Sequence, residues 1–507
     1  MSSAKILSLD ELERKARELG REGKRVVMCH GTFDLMHTGH IRHLQKAKLE
    51  GDVLLVTVTG DAYVNKGPGR PVFREDLRVE TLAALACVDF VAINHDATAV
   101  NAIARLKPNV YVKGSEYRAA MDDVTGNIER EKQAVEACGG EIFYTDEITF
   151  SSSSLLNEHF GVFSPETKDY LQAFRKSYGY KDVIGLVKGL TRLRVLVIGD
   201  AIIDQYHYIN TLGQTGKGNT LAVKYDSEEQ FAGGSIAVAN HLAGFADNVT
   251  LVTGLGKLET HEEFIRSKLL PNVAPVFFYI ENAQTVTKRR FVDPDLAKLF
   301  EVYFFNEEPL LDGVDGAVCS WLEAHLPDYD VVIVPDFGNG FISAGMVAKL
   351  CQHARFLAVN TQINSGNRGH HVITRYSRAN FASVNEPELR LAAHNRHDPL
   401  ELVAETIGQK TQSDHIAVTR GSNGVMFKDR KRDVLHHVPA LSTKVVDRIG
   451  AGDAFLAIAS LCLGGGLPSE VAAFVGSVAA ALDVQIVGNR DSVGSVTLFK
   501  YITTLLK

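Results

Sequence analysis

Apolar and polar positions follow two rhythms along this chain. Leu9 to Leu19 repeats its apolar residues at helical spacing, with Asp10 near the start and Gly20 and Gly23 near the end, and predicts an amphipathic helix. Short β-branched runs then take turns with helical patterns. Val26–Met28 reads as a buried strand, followed by the helical pattern Ile41–Lys48 and the strand Val53–Val58. Helix Glu75–Ala86, strand Phe90–Ile93, helix Ala97–Leu106 and strand Val110–Val112 continue the series, and helix Asn127–Cys138 with strand Glu141–Tyr144 closes it. Strands alternating with helices of this length predict a parallel sheet covered on both faces, with ligands beyond the carboxyl ends of the strands. A helical interlude at about 161–190 follows, opened by Ser164-Pro165-Glu166-Thr167 with proline in the first turn. The strand rhythm then returns at Arg194–Ile198, Val249–Val252, Val331–Val334, Phe356–Val359 and Ile416–Thr419, apolar runs suited to a sheet buried on both faces. The expected architecture is α/β twice over: a domain at 1–160, a helical connector at 161–190 that packs the halves together, and a domain at 191–507.

Length and composition agree. At 507 residues the chain is too long for one ordinary core. Its 45% hydrophobic and 23% charged residues are those of a globular protein, and a net charge of −7 excludes a general nucleic-acid binder. No run approaches the roughly 20 apolar residues of a membrane span, so no membrane partner is expected. Six scattered cysteines, at 29, 87, 138, 319, 351 and 462, form no CxxC pair and suit a reducing, cytoplasmic compartment.

Two stretches carry chemistry. The first is Cys29-His30-Gly31-Thr32-Phe33-Asp34-Leu35-Met36-His37-Thr38-Gly39-His40, between the strand Val26–Met28 and a helix. Histidines three apart at a helix start project from one side of its first turn, and free backbone N–H groups there suit a phosphate. A capped turn with exposed histidines is the bland alternative, and a zinc pair the other, although no third ligand with zinc spacing is at hand. The second stretch is Asp447-Arg448-Ile449-Gly450-Ala451-Gly452-Asp453-Ala454-Phe455. Its glycines let backbone N–H groups gather round a phosphate at a helix start, and Asp453 is placed to accept a proton from a hydroxyl. A plain turn with a helix cap is the competing reading.

Gly31-Thr32-Phe33-Asp34 with His37-Thr38-Gly39-His40 resembles the nucleotidylyltransferases that include glycerol-3-phosphate cytidylyltransferase. It is closer still to the nucleotidylyltransferase half of the bifunctional ADP-heptose synthases. Arg70-Pro71-Val72, Val88-Asp89-Phe90-Val91, Val112-Lys113-Gly114-Ser115-Glu116-Tyr117 and Phe150-Ser151-Ser152-Ser153 extend the likeness over residues 8 to 160. The resemblance implies a Rossmann-like domain in which His37 and His40 are catalytic and contact a triphosphate. Gly31, Thr32 and Phe33 would cradle phosphate, and Lys66, Arg78 and Lys113 would contact nucleotide or phosphate. Ser151 and Ser152 would sit at a phosphate-binding helix start. A solvated loop for Lys66 and Arg70, a surface ion pair for Arg78 and a simple helix cap for the serines are the alternatives.

In the second half, Gly199-Asp200-Ala201-Ile202-Ile203-Asp204, Gly233-Gly234, Thr287-Lys288-Arg289-Arg290, Asn385-Glu386-Pro387-Glu388, Thr419-Arg420-Gly421 and the Gly450–Asp453 turn occur in the order of the ribokinase-like (PfkB) sugar kinases. This resemblance implies Asp453 as general base and Gly450, Ala451 and Gly452 as anion hole. Asp204, Gly233, Gly234, Lys288 and Arg290 would bind the sugar or its phosphate. Asn385 and Glu388 would organise phosphate and Mg2+, with Glu388 the metal candidate, and Thr419 and Gly421 would approach the ATP phosphates. Three positions depart from the pattern: Ala237 stands where asparagine is common, Gln362 where lysine is expected and Glu301 where arginine is expected. The halves also stand in the reverse order, since the heptose enzymes begin with the kinase.

Together the resemblances imply a bifunctional maker of a nucleotide-activated sugar. A kinase would phosphorylate a sugar or sugar phosphate from ATP, a heptose 7-phosphate at O1 being the expected acceptor. A transferase would then join the sugar 1-phosphate to a nucleotide from CTP or ATP and release pyrophosphate. Small sugar phosphates and nucleotides are the expected partners, in a homo-oligomer. The alternative is a CTP-dependent cytidylyltransferase whose ribokinase-like half only binds or oligomerises. Gly213-Gln214-Thr215-Gly216-Lys217-Gly218 lacks P-loop spacing and predicts a lid or hairpin instead.

Overall fold

The computed structural model describes residues 3–64, 70–114, 127–145, 163–306, 308, 310–367 and 369–507. Lys66, Ser151 and Ser152 lie outside the described residues. The chain divides into two compact units, 1–164 with 499–507 and 165–498.

In the first unit, helix α1 (Leu9–Arg21) is closed at its N-terminus by a capping box in which Ser8 and Glu11 exchange hydrogen bonds. Five parallel strands follow among the described residues: β1 (Val26–Gly31), β2 (Val53–Thr59), β3 (Phe90–Asn94), β4 (Val110–Gly114) and β5 (Glu141–Thr145). Their spatial order is β3-β2-β1-β4-β5. The chain therefore leaves β1 toward one edge and returns to build toward the other. This reversal opens a crevice at the carboxyl ends of β1 and β4, the usual ligand position in such sheets. Every residue of β2 is buried, because helices cover both faces.

The second unit is built on a nine-stranded sheet. Its first seven strands run parallel, in the spatial order Val273–Ile280, Asn248–Gly256, Arg194–Ile198, Val331–Asp336, Leu357–Thr361, Phe381–Asn385 and His415–Thr419. Val425–Asp429 and Val434–Val438 complete it antiparallel. The central strands are the apolar runs of the sequence, and Val195 to Ile198 and Val331 to Val334 are wholly buried. A separate four-stranded sheet pairs Lys298–Phe304, Val286–Val292, Ala201–Gln214 and Leu221–Gly234. The glycine-rich stretch 213–218 is where the last two of these strands turn back as a long hairpin. The described part of the interlude does not stand apart as a connector. Helices Pro165–Ser177 and Tyr180–Lys188 belong to the second unit, where Phe174 stacks on Phe474 at 4.3 Å and Val183 and Val187 are buried.

Backbone close approach is sharpest at Gly424, which ends the turn after His415–Thr419. Its φ is +75°, and a Cβ there would stand 2.0 Å from the Val438 carbonyl oxygen. Gly466 has φ +79° with nothing within 4 Å of its Cβ position. Gly466→Ala therefore meets only the backbone penalty, about 1 kcal/mol. Gly424→Ala adds a clash and should cost about 3 kcal/mol or more. Urea midpoints of the two variants check this, the Gly424 variant falling well below the Gly466 variant.

Candidate active sites

In the first unit, β1 delivers Gly31–Phe33 to the crevice. A Cβ on Gly31 would meet the Phe33 ring at 3.1 Å, and Phe33 holds φ +50°, a left-handed conformation uncommon for an aromatic residue. Asp34 fixes the following loop: its buried carboxylate accepts the N–H groups of Val72 at 2.8 Å and Phe73 at 3.0 Å. His37 is the N-cap of helix α2 (Thr38–Leu49), its Nδ1 accepting the Gly39 N–H at 3.1 Å. That bond places the ring proton on Nε2, which is buried with no hydrogen-bond partner among the described residues. The His37 ring stacks on His40, centroids 4.0 Å apart, and Phe33 meets His40 edge-on at 5.6 Å. Burial lowers the pKa of His37 and keeps it neutral. A neutral imidazole with a spare N–H beside a helix start is a donor for phosphate oxygens.

Two cations expected to meet the nucleotide, Arg78 and Lys113, are bonded within the fold. The Arg78 side chain is fully buried and donates to the carbonyl oxygens of Thr32 at 2.6 Å, Thr59 at 2.9 Å and Phe73 at 2.9 Å, and to Asp61 at 2.5 Å. It ties the loop after β1 to the end of β2 and to the stretch before the next helix. Lys113 pairs with the buried Glu131 at 2.8 Å, which also takes the Tyr111 hydroxyl at 3.0 Å, so its charge is matched within the fold. The sequence could not show either role, because the partners of Arg78 are backbone carbonyls set by tertiary structure.

In the second unit a cavity of about 550 Å3 gathers Asp204, Gly234, Lys288 and Arg290 at its lining with Asn385, Glu388, Thr419 and Gly421. Gly450, Ala451, Gly452 and Asp453 line it too. Gly233 stands just outside and is needed for Asp204, since a Cβ there would fall 2.2 Å from the Asp204 carboxylate. Gly450 begins the helix Ala451–Gly464 with φ +98°. Arg290 bonds Asp204 and, at 3.0 Å, Glu301; the departure at 301 thus pairs with an arginine already in place. Burial lowers the pKa of Lys288, which lies 5.5 Å from the Tyr303 ring centroid. The Asp453 carboxyl is pushed up to about 7, first by burial and then by the charges of Asp204 and Glu388, with Lys288 opposing. A base poised there is matched to proton transfer at neutral pH.

Asn385 and Glu388 form a capping box, so each Glu388 oxygen already takes a backbone N–H, from Ile363 at 3.1 Å and from Asn385 at 3.2 Å. No group of three or more His, Cys, Asp or Glu able to hold a metal occurs among the described residues. Asn489 was not apparent in the sequence. It lines the cavity and its Nδ2 lies 3.4 Å from Asp204, 285 positions away, a separation no spacing argument spans. His371 sits 2.6 Å from the buried Asp336.

A model of pfkB family carbohydrate kinases matches residues 192–494, more than half of the chain. The chain belongs to the pfkB carbohydrate kinase family. A cytidylyltransferase-like model matches residues 28–159 of this pfkB-family chain. Curated relatives match in the N-terminal half. Bifunctional protein HldE of Geotalea uraniireducens is 43% identical over 143 residues, 28% of this chain and 28% of that protein. Its namesake from Geobacter sulfurreducens is 39% identical over 141 residues, 27% of each. The chain thus spans little more than a quarter of the length of these relatives. Arabidopsis thaliana ribokinase complexed with ribose and ATP aligns with 62% of this chain and 99% of its own, at 17% identity and a TM-score of 0.47.

Arg78→Met leaves the Thr32 and Thr59 carbonyls without their donor and Asp61 without its partner. It should destabilise the first unit by about 3 kcal/mol. A fall in that unit's thermal midpoint, with Arg74→Met as an exposed control, checks the assignment.

Proposed function

We propose that the chain is a bifunctional enzyme that makes a nucleotide-activated sugar. The observation that supports this most is Asp453, poised near neutrality at the start of a glycine-bounded helix in the same cavity as Asp204 and Lys288. In the kinase half, Asp453 takes the proton of an acceptor hydroxyl as that oxygen attacks the γ-phosphorus of ATP, and ADP leaves. The N–H groups of the Gly450–Gly452 turn hold the phosphate in line, and Asp204, fixed by Arg290 and Asn489, orients the sugar. Mg2+ suits this cavity, because the Glu388 charge adds to the cost of ionising Asp453 there and the ion takes few protein ligands besides phosphate oxygens. Glu388, through the oxygen lone pairs left by its cap bonds, would hold it. Bound, it offsets phosphate charge.

In the transferase half, the oxygen of a sugar 1-phosphate attacks the α-phosphorus of a nucleoside triphosphate and pyrophosphate leaves. His37 and His40 stabilise the added negative charge, with Gly31, Thr32 and Phe33 as the cradle. Lys66, Ser151 and Ser152 keep the phosphate-binding roles that the resemblance implies. A heptose 7-phosphate phosphorylated at O1 is the proposed acceptor, with CTP or ATP as nucleotidyl donor. Six free cysteines support a cytoplasmic setting. No helix among the described residues is long and apolar enough to cross a membrane. A homo-oligomer is the proposed assembly. It is supported by the four-stranded sheet, where the exposed Phe300 stacks on the half-buried Phe291 at 4.4 Å. Gln362, lining the cavity where the family has lysine, favours the second reading, a cytidylyltransferase with a kinase half that only binds.

Purified protein with Mg2+, ATP or CTP and a panel of sugar phosphates separates the two. ADP release lost at least a thousandfold in Asp453→Asn supports the kinase. Pyrophosphate release with no ADP from any acceptor leaves only the cytidylyltransferase. His40→Ala should abolish pyrophosphate release in a folded protein while ADP release persists.

The pH dependence has a definite sign. Asp453 must be ionised to accept a proton, so kinase kcat/KM should rise with pH through about 7 and level off above it. A profile flat from pH 5.5 to 8.5 would remove Asp453 as the base.

A further inference from the structure

Beneath the Gly450 turn, four polar atoms are buried without a hydrogen-bond partner among the described residues: both carboxyl oxygens of Asp483, Oδ1 of Asn489 and Nε2 of His241. Asp483 ends the helix Ser469–Asp483 and is wholly buried, and His241, on the helix Ser235–Ala243, is buried too. Gly450 shows how close two of these atoms lie. A Cβ there would stand 2.6 Å from Asp483 Oδ2 and 2.9 Å from Asn489 Oδ1, so both oxygens border the same small space. The other end of the Asn489 amide reaches the acceptor side, where Nδ2 lies 3.4 Å from Asp204 Oδ2.

Buried polar atoms seldom go unpaired, and one proton resolves this group. As a carboxylate, Asp483 offers only acceptors, as does Asn489 Oδ1, and two acceptors form no bond; as a carboxylic acid, Asp483 has an O–H to donate. His241 does not supply a balancing charge. Its Nδ1 accepts the Val493 N–H at 3.0 Å, so its ring proton sits on Nε2, which faces Asp483 Oδ1 at 3.6 Å, and burial lowers its pKa to about 4. Asp447 and Asp453, on either side of Gly450, both oppose a charge on Asp483, and so does the negative end of its own helix. Lys298 is taken by Asp447 and Arg290 by Asp204. The strands packed on the same helix carry Lys428, Asp429 and His436, which bond Asp433, the Arg432 N–H and Ser469.

We propose that Asp483 is a positioning residue that works as a carboxylic acid: its O–H donates to Asn489 Oδ1 and so turns the Asn489 amide to donate from Nδ2 to Asp204. The proposal rests on the kinase reading above, in which Asp204 orients the acceptor. An ionised Asp483 would instead draw Nδ2 to itself and turn Oδ1 toward the Asp204 carboxylate, bringing two acceptors together. Affinity for the acceptor thus depends on a proton that the acceptor never touches. The charge of an ionised Asp453 helps to hold that proton in place, so the loss of affinity falls on the alkaline side of the plateau that Asp453 sets.

Kinase assays on the full-length protein at about pH 7.5 and about pH 9.5 test this through the separate KM values of acceptor and ATP. In the wild type, acceptor KM should rise at least fivefold between the two, with KM for ATP changed less than twofold. Asp483→Asn, whose amide donates to Asn489 and accepts from His241 at either pH, should keep the neutral acceptor KM and lose the alkaline rise. Asp483→Val, which can do neither, should raise acceptor KM at least tenfold at pH 7.5; should it fail to fold, Asp483→Asn decides alone. A wild-type acceptor KM that does not move, or an equal alkaline rise in Asp483→Asn, overturns the proposal. A neutral acceptor KM raised tenfold by Asp483→Asn overturns it as well. If no acceptor yields ADP, the kinase reading fails by itself, and infrared difference spectra of wild type against Asp483→Asn at pH 7.5 still decide the proton. A protonated-carboxyl C=O band that the substitution removes supports it, and the lack of such a band overturns it.

Discussion

Carboxylates crowded into a low-dielectric cleft set the terms for the kinase half. Asp204, Asp447, Asp453 and Asp483 all lie near the Gly450 turn, the proposed site of an anionic nucleotide. Each must be paired, hydrogen-bonded or protonated, because an isolated buried charge is too costly to keep. Asp204 is matched by Arg290, whose pKa stays above its ordinary value despite burial because of that carboxylate. Asp447 receives the Tyr206 hydroxyl at 2.7 Å and the Lys298 ammonium at 3.1 Å. Asp453 and Asp483 have no such cation and respond by rising, to about 7 and about 8. The base of the proposed reaction is thus made by leaving Asp453, like Asp483, without a cation partner.

Asp483 shows the cost of the arrangement. It is wholly buried, neither oxygen has a hydrogen-bond partner among the described residues, and His241 stands 3.6 Å away. Burial comes first among the causes of its shift, followed by the charges of Asp453 and Asp447. A folded-state pKa above the unfolded one stabilises most at low pH, and that contribution fades as pH rises through the folded value. The window runs from about 4 to about 8, and the proposed kinase reaction needs Asp453 ionised within it. Ionising Asp453 opposes the ionisation of Asp483, so the two protons are linked across one turn of backbone.

Most of the regular structure was legible because the two hydrophobic periods are distinct. Val26–Met28, Val53–Val58 and Val331–Val334 fall within observed strands, since runs with both sides apolar fit only a covered parallel sheet. The four-stranded sheet was less legible. Ala201–Gln214 and Leu221–Gly234 change from buried to exposed along their length, so neither period holds throughout. Motif residues of the kinase half converged on one cavity because backbone needs betray them: Gly233 and Gly450 stand where no Cβ fits. The bonds of Arg78 and Asn489 are not legible in the sequence for the complementary reason. Their partners are carbonyls or a carboxylate far away in the chain, and a lone Arg or Asn carries no sign of what it will touch.

His37 and Asp453 are tuned in opposite directions by the same force. Burial penalises the charged form in both cases, which makes the histidine a neutral donor and the aspartate a base near neutrality. In the first unit that choice is consistent with the proposed transfer, in which no proton need be taken: a sugar phosphate is already an anion, and the site would have only to neutralise and align. In the proposed kinase reaction the acceptor hydroxyl is not ionised, so a base is needed, and the second unit supplies it by leaving Asp453 without a cation partner. Of the two sites, the second therefore carries the greater electrostatic burden, and its glycines, its Arg290–Asp204 pair and its capped Glu388 are the means by which the fold tolerates it.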